Sequence, residues 1–179
     1  MRIISGTLKG RKINPPSKMS NTRPTTDLAR EGLFNVLSNH FDVSSLETLD
    51  LFGGTGAISF EFASRGSASQ TIVEKDGFMA DFIKHTNELL NIQSMTVVRM
   101  DVFNFLRNCT NSFDLVFADP PYGLPASEQL PELIFNGHII KEGGWFILEH
   151  TTDQDFTKHV KFKSERKYGS TIFSIFSDY

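Results

Sequence analysis

Asp119-Pro120-Pro121-Tyr122 ends the apolar run Phe113 to Ala118 and carries the residue types in this chain best suited to chemistry. Two consecutive prolines hold φ at about −65°, supply no backbone N–H and keep the preceding residue extended, so a strand must stop at Asp119. A rigid edge of acceptors is left. The Asp119 carboxylate and the prolyl carbonyls can receive hydrogen bonds from an amino group, and Tyr122 offers a flat face on which a planar ring can stack. That combination suits a reaction on the exocyclic amine of a nucleobase. Asp and Pro also build plain turns, so the reading gains its weight from what lies upstream.

Upstream, Glu47 to Phe52 reads as a short strand that runs into Gly53-Gly54-Thr55-Gly56 and then a helix from Ala57 to about Arg65. Glycines let a ligand lie against bare backbone, and the helix directs free N–H groups at the turn. Ser59 stands where a G-x-G-x-x-G loop would place its third glycine, which weakens a nicotinamide or flavin reading. No Gly-Lys-Ser/Thr follows the loop, which disfavours nucleotide triphosphate hydrolysis. The next strand, Gln70 to Glu74, ends in an acid placed where α/β sites bind ribose hydroxyls. A third strand, Met95 to Met100, ends at Asp101, and the fourth ends at Asp119. Asp101 reads equally as the N-cap of a helix from Val102 to Asn108, and Asp50 as a tie for its own loop. Four acids at the ends of four successive strands point to a nucleoside-like ligand at one sheet edge.

These motifs resemble those of class I S-adenosylmethionine-dependent methyltransferases that act on amino groups. Within that group the chain is similar to the RsmD family, the bacterial 16S ribosomal RNA guanine-N2 methyltransferases, over nearly its whole length. Arg2-Ile3-Ile4-Ser5-Gly6 with Lys9-Gly10-Arg11-Lys12 resembles the family's basic hairpin. Thr22-Arg23-Pro24-Thr25-Thr26-Asp27, with Arg30-Glu31 and Leu33-Phe34-Asn35, resembles its entry helix. Asp50 to Ala57, Glu74-Lys75-Asp76 and Asp119 to Tyr122 match the cofactor loop, the ribose-binding strand end and the catalytic turn. The chain departs from the pattern at Leu28, where arginine is usual, at Lys9, where arginine is frequent, and at Ser59, where glycine is frequent.

The resemblance implies S-adenosylmethionine as cofactor, with Asp50, Gly53, Gly54 and Gly56 around its methionine part, Glu74 on the ribose and Asp101 beside the adenine. Phe52, Lys75, Val102 and Asp119 complete the implied wall. Asp119, Pro120, Pro121 and Tyr122 are the implied catalytic residues, and Arg2, Lys9, Arg11, Lys12, Arg23 and Arg30 the implied grip on ribosomal RNA of the small subunit. The same turn chemistry also serves DNA amines and protein glutamine, and a non-catalytic ribosome-assembly protein could keep the cofactor fold; no target-recognition domain for DNA is evident in so short a chain.

The elements that must position these residues alternate strand and helix and then end in paired strands, Phe162 to Lys167 and Thr171 to Phe176 around Tyr168-Gly169-Ser170. This order predicts an α/β, Rossmann-like fold with a mainly parallel sheet and an antiparallel C-terminal edge; the resemblance implies seven strands. Residues 1–20 read as a basic hairpin extension and 21–179 as the methyltransferase domain, with a Pro/Ser/Asn/Thr loop from Asn14 to Thr25 between hairpin and first helix. Asp76 to Leu90 is the clearest helix, and its Phe78 and Phe82 are expected in the core. Ser127 to Phe135 is expected to be helical, and Gly143-Gly144 to open a strand from Trp145 to Glu149.

With 179 residues and 39% apolar composition the chain suits one core. No apolar run approaches a membrane span and no secretory pattern opens the chain, so a cytoplasmic protein is expected; a monomer is expected as well, although no residue pattern bears on it. A single cysteine, Cys109, and five histidines without cluster spacing predict no structural metal. Net charge is −3, yet seven of the 18 Lys/Arg residues lie in the first 30 positions against one acid, Asp27. A basic arm on an acidic body is a plausible grip for RNA phosphates, because that attraction is local.

Overall fold

The near-continuous apolar runs of the central strands require cover on both faces, and helices supply it. The computed structural model describes residues 1–16 and 25–178. Its strands are β1 (Glu47–Leu51), β2 (Ser69–Glu74), β3 (Met95–Arg99), β4 (Phe113–Ala118), β5 (Ile140–His150), β6 (Phe162–Tyr168) and β7 (Thr171–Phe176). Its helices are α1 (Asp27–Ser38), α2 (Ala57–Ser64), α3 (Gly77–Leu89), α4 (Val102–Asn108) and α5 (Leu130–Asn136). One seven-stranded sheet runs in the order β3-β2-β1-β4-β5-β7-β6. The first five strands are parallel, and β7 lies antiparallel to both β5 and β6.

On one face Leu33, Phe34 and Leu37 of α1 and Phe62 of α2 pack against Leu115, Phe117 and Ile147. On the other, Val102 and Leu106 of α4 and Leu130 and Ile134 of α5 pack against Val116, Phe146 and Leu148. Three helices start on side-chain caps that satisfy their first N–H groups. Thr26 accepts from the N–H of Ala29, Asp76 from that of Met79, and Asp101 from those of Phe103 and Asn104.

Residues 1–13 fold back on themselves, with an isolated antiparallel bridge between Arg2 and Lys12. The turn is fastened to α2. Glu61, with no solvent exposure, accepts from the N–H groups of Ile4 at 2.9 Å and Ser5 at 3.0 Å, and Ser64 accepts from that of Leu8 at 2.9 Å. Ile3 and Ile13 are buried with Phe60, Ile72 and Ile83.

Two expectations about elements change. Gly143-Gly144 lies inside β5, because the register slips between Phe113 and Leu115 and Gly143 takes φ 76° in that irregularity. The strand therefore begins at Ile140, with the glycines absorbing the bulge. The helical segment after the catalytic turn is split into a 3-10 turn, Pro125–Gln129, and α5. Pro131 at the start of α5 has no N–H to donate, which suits a helix's first turn.

Candidate active site

The parallel strands end at one edge of the sheet, and between β1 and β4 the crossovers part to opposite directions, which opens a cleft at the strand ends. A cavity of about 1080 Å³ occupies it. Every cofactor candidate except Gly56 lines this cavity: Asp50, Phe52, Gly53, Gly54, Glu74, Lys75, Asp101, Val102 and Asp119. Gly56 instead shapes the loop. It sits at φ 75° as the residue before α2, and an added Cβ would come within 2.6 Å of the Phe60 ring.

The loop itself is strained toward the cavity. Phe52 takes φ 66°, a left-handed conformation unusual for a bulky residue, of the kind that persists where the surroundings impose it. Glu74 holds the loop and the next helix at once: one carboxylate oxygen accepts from the N–H of Gly54 at 2.7 Å and the other from that of Asp76 at 2.8 Å. Asp50, 5% exposed, accepts from the Ser59 hydroxyl at 2.7 Å, so the serine that breaks the dinucleotide pattern is a partner for the acid. Asp101 caps α4 and pairs with Lys75 at 3.2 Å while also lining the cavity, so its two readings coexist.

The electrostatics of the wall are one-sided. Burial pushes Asp50 up to about 7 against the opposing hydrogen bond from Ser59, and the nearby Glu74 charge adds to the rise. Burial, then the charges of Glu149 and Asp50, hold Asp119 well above the usual carboxylate range. Burial likewise raises Glu149 to about 7 despite hydrogen bonds from Thr25 and Thr171. Asp101 goes the other way: burial raises it, but the N–H of Asn104, Lys75 and the N–H of Phe103 together bring it below its ordinary value. Acids outnumber bases on the main cavity's wall, Asp50, Glu74, Asp76, Asp101 and Asp119 against Lys75 and Arg99. Such a wall suits a cationic ligand bearing hydroxyls and repels phosphates.

A second cavity, of about 270 Å³, lies on the far side of the turn and is lined by Asp119, Pro120, Pro121, Tyr122, Glu149 and Thr171 among others. Asp119, Pro121 and Leu124 border both cavities, so the turn forms the partition between them. Tyr122 is 61% exposed and leaves its ring face available.

Arg2, Lys9, Arg11 and Lys12 are exposed on the N-terminal turn. Arg23 lies outside the described residues. Arg30 is a correction to the expected RNA grip: it is 1% exposed, with its guanidinium 2.9 Å from Asp27, 3.7 Å from Glu61 and 2.7 Å from the Arg2 carbonyl. It joins α1, α2 and the N-terminal turn and presents nothing to a ligand. Phe78 is a second correction, since it is 61% exposed and lines the main cavity while its neighbour on α3, Met79, turns into the core.

Sequence reasoning passed over Glu149 and Thr25. Thr25 donates to Glu149 at 2.6 Å, and both are buried at the cavities' edges. The rule that selected the other acids, a strand ending in a carboxylate, applies to the fifth strand and would have found Glu149. Thr25 stood in the segment that resembles the family's entry helix, but nothing in sequence tied it to Glu149, because the contact spans 124 positions. Among the described residues no group of three or more His, Cys, Asp or Glu is arranged to hold a metal ion, and no helix is long and apolar enough to cross a membrane.

Comparison with known proteins places this geometry. The family model described as conserved hypothetical protein 95 matches residues 1–177. The ribosomal RNA small subunit methyltransferase D of Buchnera aphidicola is 34% identical over 155 residues, covering 85% of this chain and 78% of that one. The protein of the same name from Escherichia coli strain K12 is 33% identical over 151 residues, covering 83% and 71%. Among solved structures, the putative methyltransferase yhhF from Escherichia coli superposes with a TM-score of 0.85 at 27% identity, over 98% of this chain and 96% of that one. The fold is that of the class I methyltransferases.

Proposed function

The chain belongs to the conserved hypothetical protein 95 family, the RsmD family of methyltransferases, and from that premise we propose that it moves a methyl group from S-adenosylmethionine to the exocyclic N2 amine of a guanine in small-subunit ribosomal RNA. The observation that carries this reading is the partition: Asp119 and Pro121 border a large acid-walled cavity on one side and a smaller one on the other. A methyl donor and an amine acceptor in those two spaces would meet at Asp119.

The donor fits the larger cavity by charge and by shape. Bound there, S-adenosylmethionine supplies an electrophilic methyl group on a sulfonium. Asp50 and Asp119 place negative charge near that cation, Glu74 faces the ribose hydroxyls, and Phe78 and Phe103 offer apolar surface to the adenine ring. On the acceptor side, the Asp119 carboxylate and the Pro120 carbonyl take the two amine hydrogens, which turns the nitrogen lone pair out of conjugation and toward the methyl. As the N–C bond forms, positive charge grows on nitrogen, and these acceptors stabilise it more in the transition state than in the ground state. The methylated nitrogen is acidic, and its proton leaves to Asp119 or to water. Tyr122 stacks on the base, a contact worth about 1–3 kcal/mol. The target guanine must be unpaired or flipped to reach the turn.

Residues 1–20 act as a basic extension of the methyltransferase domain, and Arg2, Lys9, Arg11, Lys12 and Arg23 meet phosphates near the target. The protein works as a cytoplasmic monomer on RNA within the small ribosomal subunit. The test is transfer of labelled methyl from S-adenosylmethionine to small subunits, and to deproteinised RNA, from cells lacking the protein. Label recovered as N2-methylguanosine, and absent with Asp119→Ala, is expected. Label on another nucleoside, or none on either RNA while the cofactor binds, refutes the reading.

A further inference from the structure

We propose that Glu149 selects guanine by accepting the N1–H of the target base, beside the N2 amine held at Asp119. This rests on the reading above and deepens it, because nothing in the amine-holding turn itself tells a guanine amine from those of adenine or cytosine.

The placement comes from the sheet. Ala118 of β4 pairs with Leu148 of β5, so Asp119, the first residue past β4, stands beside Glu149, which is still within β5. Neighbouring strands lie about 4.8 Å apart, which puts two carboxyls within reach of one base edge. Both line the smaller cavity, and the Asp119 carboxyl feels the Glu149 charge directly. Glu149 is 7% exposed and is held from behind: the Thr25 hydroxyl donates to Oε2 at 2.6 Å, and the Thr171 side chain also hydrogen-bonds to it. A carboxylate has about four acceptor sites, so two such bonds orient it without exhausting it.

The base edges then decide. Guanine presents N1–H and the N2 amine side by side, an unbroken row of donors that two acceptors can meet. Adenine sets its N6 amine beside N1, and cytosine sets its N4 amine beside N3, each a bare acceptor. With either base in the cavity, a lone pair would face the ionised Glu149 carboxylate, which keeps its Thr25 and Thr171 partners but gains none from the base. Rejection on that ground is far stronger than rejection by shape, because a site built to hydrogen-bond a donor loses that bond outright. Reading a flipped base at its Watson–Crick edge is the general solution for enzymes that modify one.

The discriminating probe is 2,6-diaminopurine, which keeps the N2 amine but has a bare acceptor at N1. The position methylated by the wild-type protein is mapped first, and RNA carrying guanine or diaminopurine there is then assembled from ligated fragments. Assayed at pH 8, where the Glu149 carboxyl is mostly ionised, the wild-type protein should methylate diaminopurine with kcat/KM lower by about 10-fold or more, since the bare N1 can be met only by the protonated acid. Glu149→Gln, whose amide can donate to N1, should bring that ratio close to one. A residue with only a structural role would lower transfer to both bases equally. Should the Gln variant fail to fold, Thr25→Val, which frees Glu149 from its hydroxyl partner, should narrow the ratio in the same direction. Equal methylation of the two bases by the wild-type protein, or a ratio unmoved by the folded variants, overturns the role of Glu149 alone. No transfer to the guanine RNA overturns the N2-methylation reading and this inference with it.

Discussion

Replacing Asp50 with asparagine should make the ligand-free protein more stable, and increasingly so as pH rises. Asp50 is 5% exposed, and its carboxyl is raised from 3.8 to about 7 by burial and by Glu74, against the Ser59 hydrogen bond. A carboxyl raised on folding contributes stability that is fully present below its unfolded pKa and is lost as pH rises through the folded value. One pKa unit corresponds to about 1.4 kcal/mol. The shift of roughly three units therefore amounts to about 4 kcal/mol lost between pH 4 and pH 8. Asparagine is isosteric, can still accept from Ser59 through its amide oxygen, and has no titration.

The difference between two pH values isolates the effect. Any pH-independent consequence of the amide, such as a changed hydrogen bond, cancels when the variant's advantage at pH 5 is subtracted from that at pH 8. At pH 5 the aspartate has lost roughly 2 kcal/mol and at pH 8 the full amount, so the advantage should grow by roughly 2–3 kcal/mol between them. Urea unfolding of both proteins at a series of pH values measures it, with equal m-values as the condition for comparison. An advantage that stays flat or shrinks from pH 5 to pH 8 would refute the claim that Asp50 is held in the site at the expense of the fold.

Titration calorimetry should show S-adenosylmethionine binding more tightly as pH rises from 6 to 8, because ionised Asp50 and Glu149 favour the sulfonium; its neutral-sulfur product should show a weaker or opposite trend. Asp119→Ala should lower methyl transfer by about 10²-fold or more, with a much smaller loss of cofactor affinity; equal losses in both would remove the division of roles between the two cavities. Glu61→Ala should cost about 3–5 kcal/mol, since it takes one of two carboxylates from the buried Arg30, removes the partner of Arg65 and leaves the N–H groups of Ile4 and Ser5 without their acceptor. Hydrogen exchange should then show residues 1–13 losing protection first. Changing Lys9, Arg11 and Lys12 to serine should leave unfolding unaltered and lower the salt slope of RNA binding by about 2–3, whereas Arg30→Ala should act on stability.

The central strands and the helices between them were legible because their signals are local. A run such as Leu115-Val116-Phe117-Ala118 reads as a doubly covered strand, and Asp76 and Asp101 announce their helices as caps. What sequence could not supply was direction and distance. Arg30 and Arg2 look alike as basic residues near the N-terminus, and only the return of α2 beneath α1 brings Glu61 to one of them. Phe78 and Met79 are neighbours in a helix, and which of them faces the core depends on where β3 lies. The glycine pair in β5 failed as a strand boundary for a related reason: a bulge is a mismatch between two strands, invisible in either alone.

The acid wall also bears on how the site could release its product. In the empty protein Asp50, Asp119 and Glu149 lie close enough that burial and mutual repulsion favour protonation of at least some of them at neutral pH. A cation in the larger cavity reverses that balance, so its binding should expel protons from these carboxyls. Once the methyl group has moved, the sulfur is neutral, the attraction is gone and the acids recover their protons. The same desolvated carboxyls that destabilise the fold would thus favour the charged donor over its uncharged product. Proton release on binding donor but not product, measured by calorimetry in buffers of different ionisation heat, would separate this account from one in which the wall only orients the ribose.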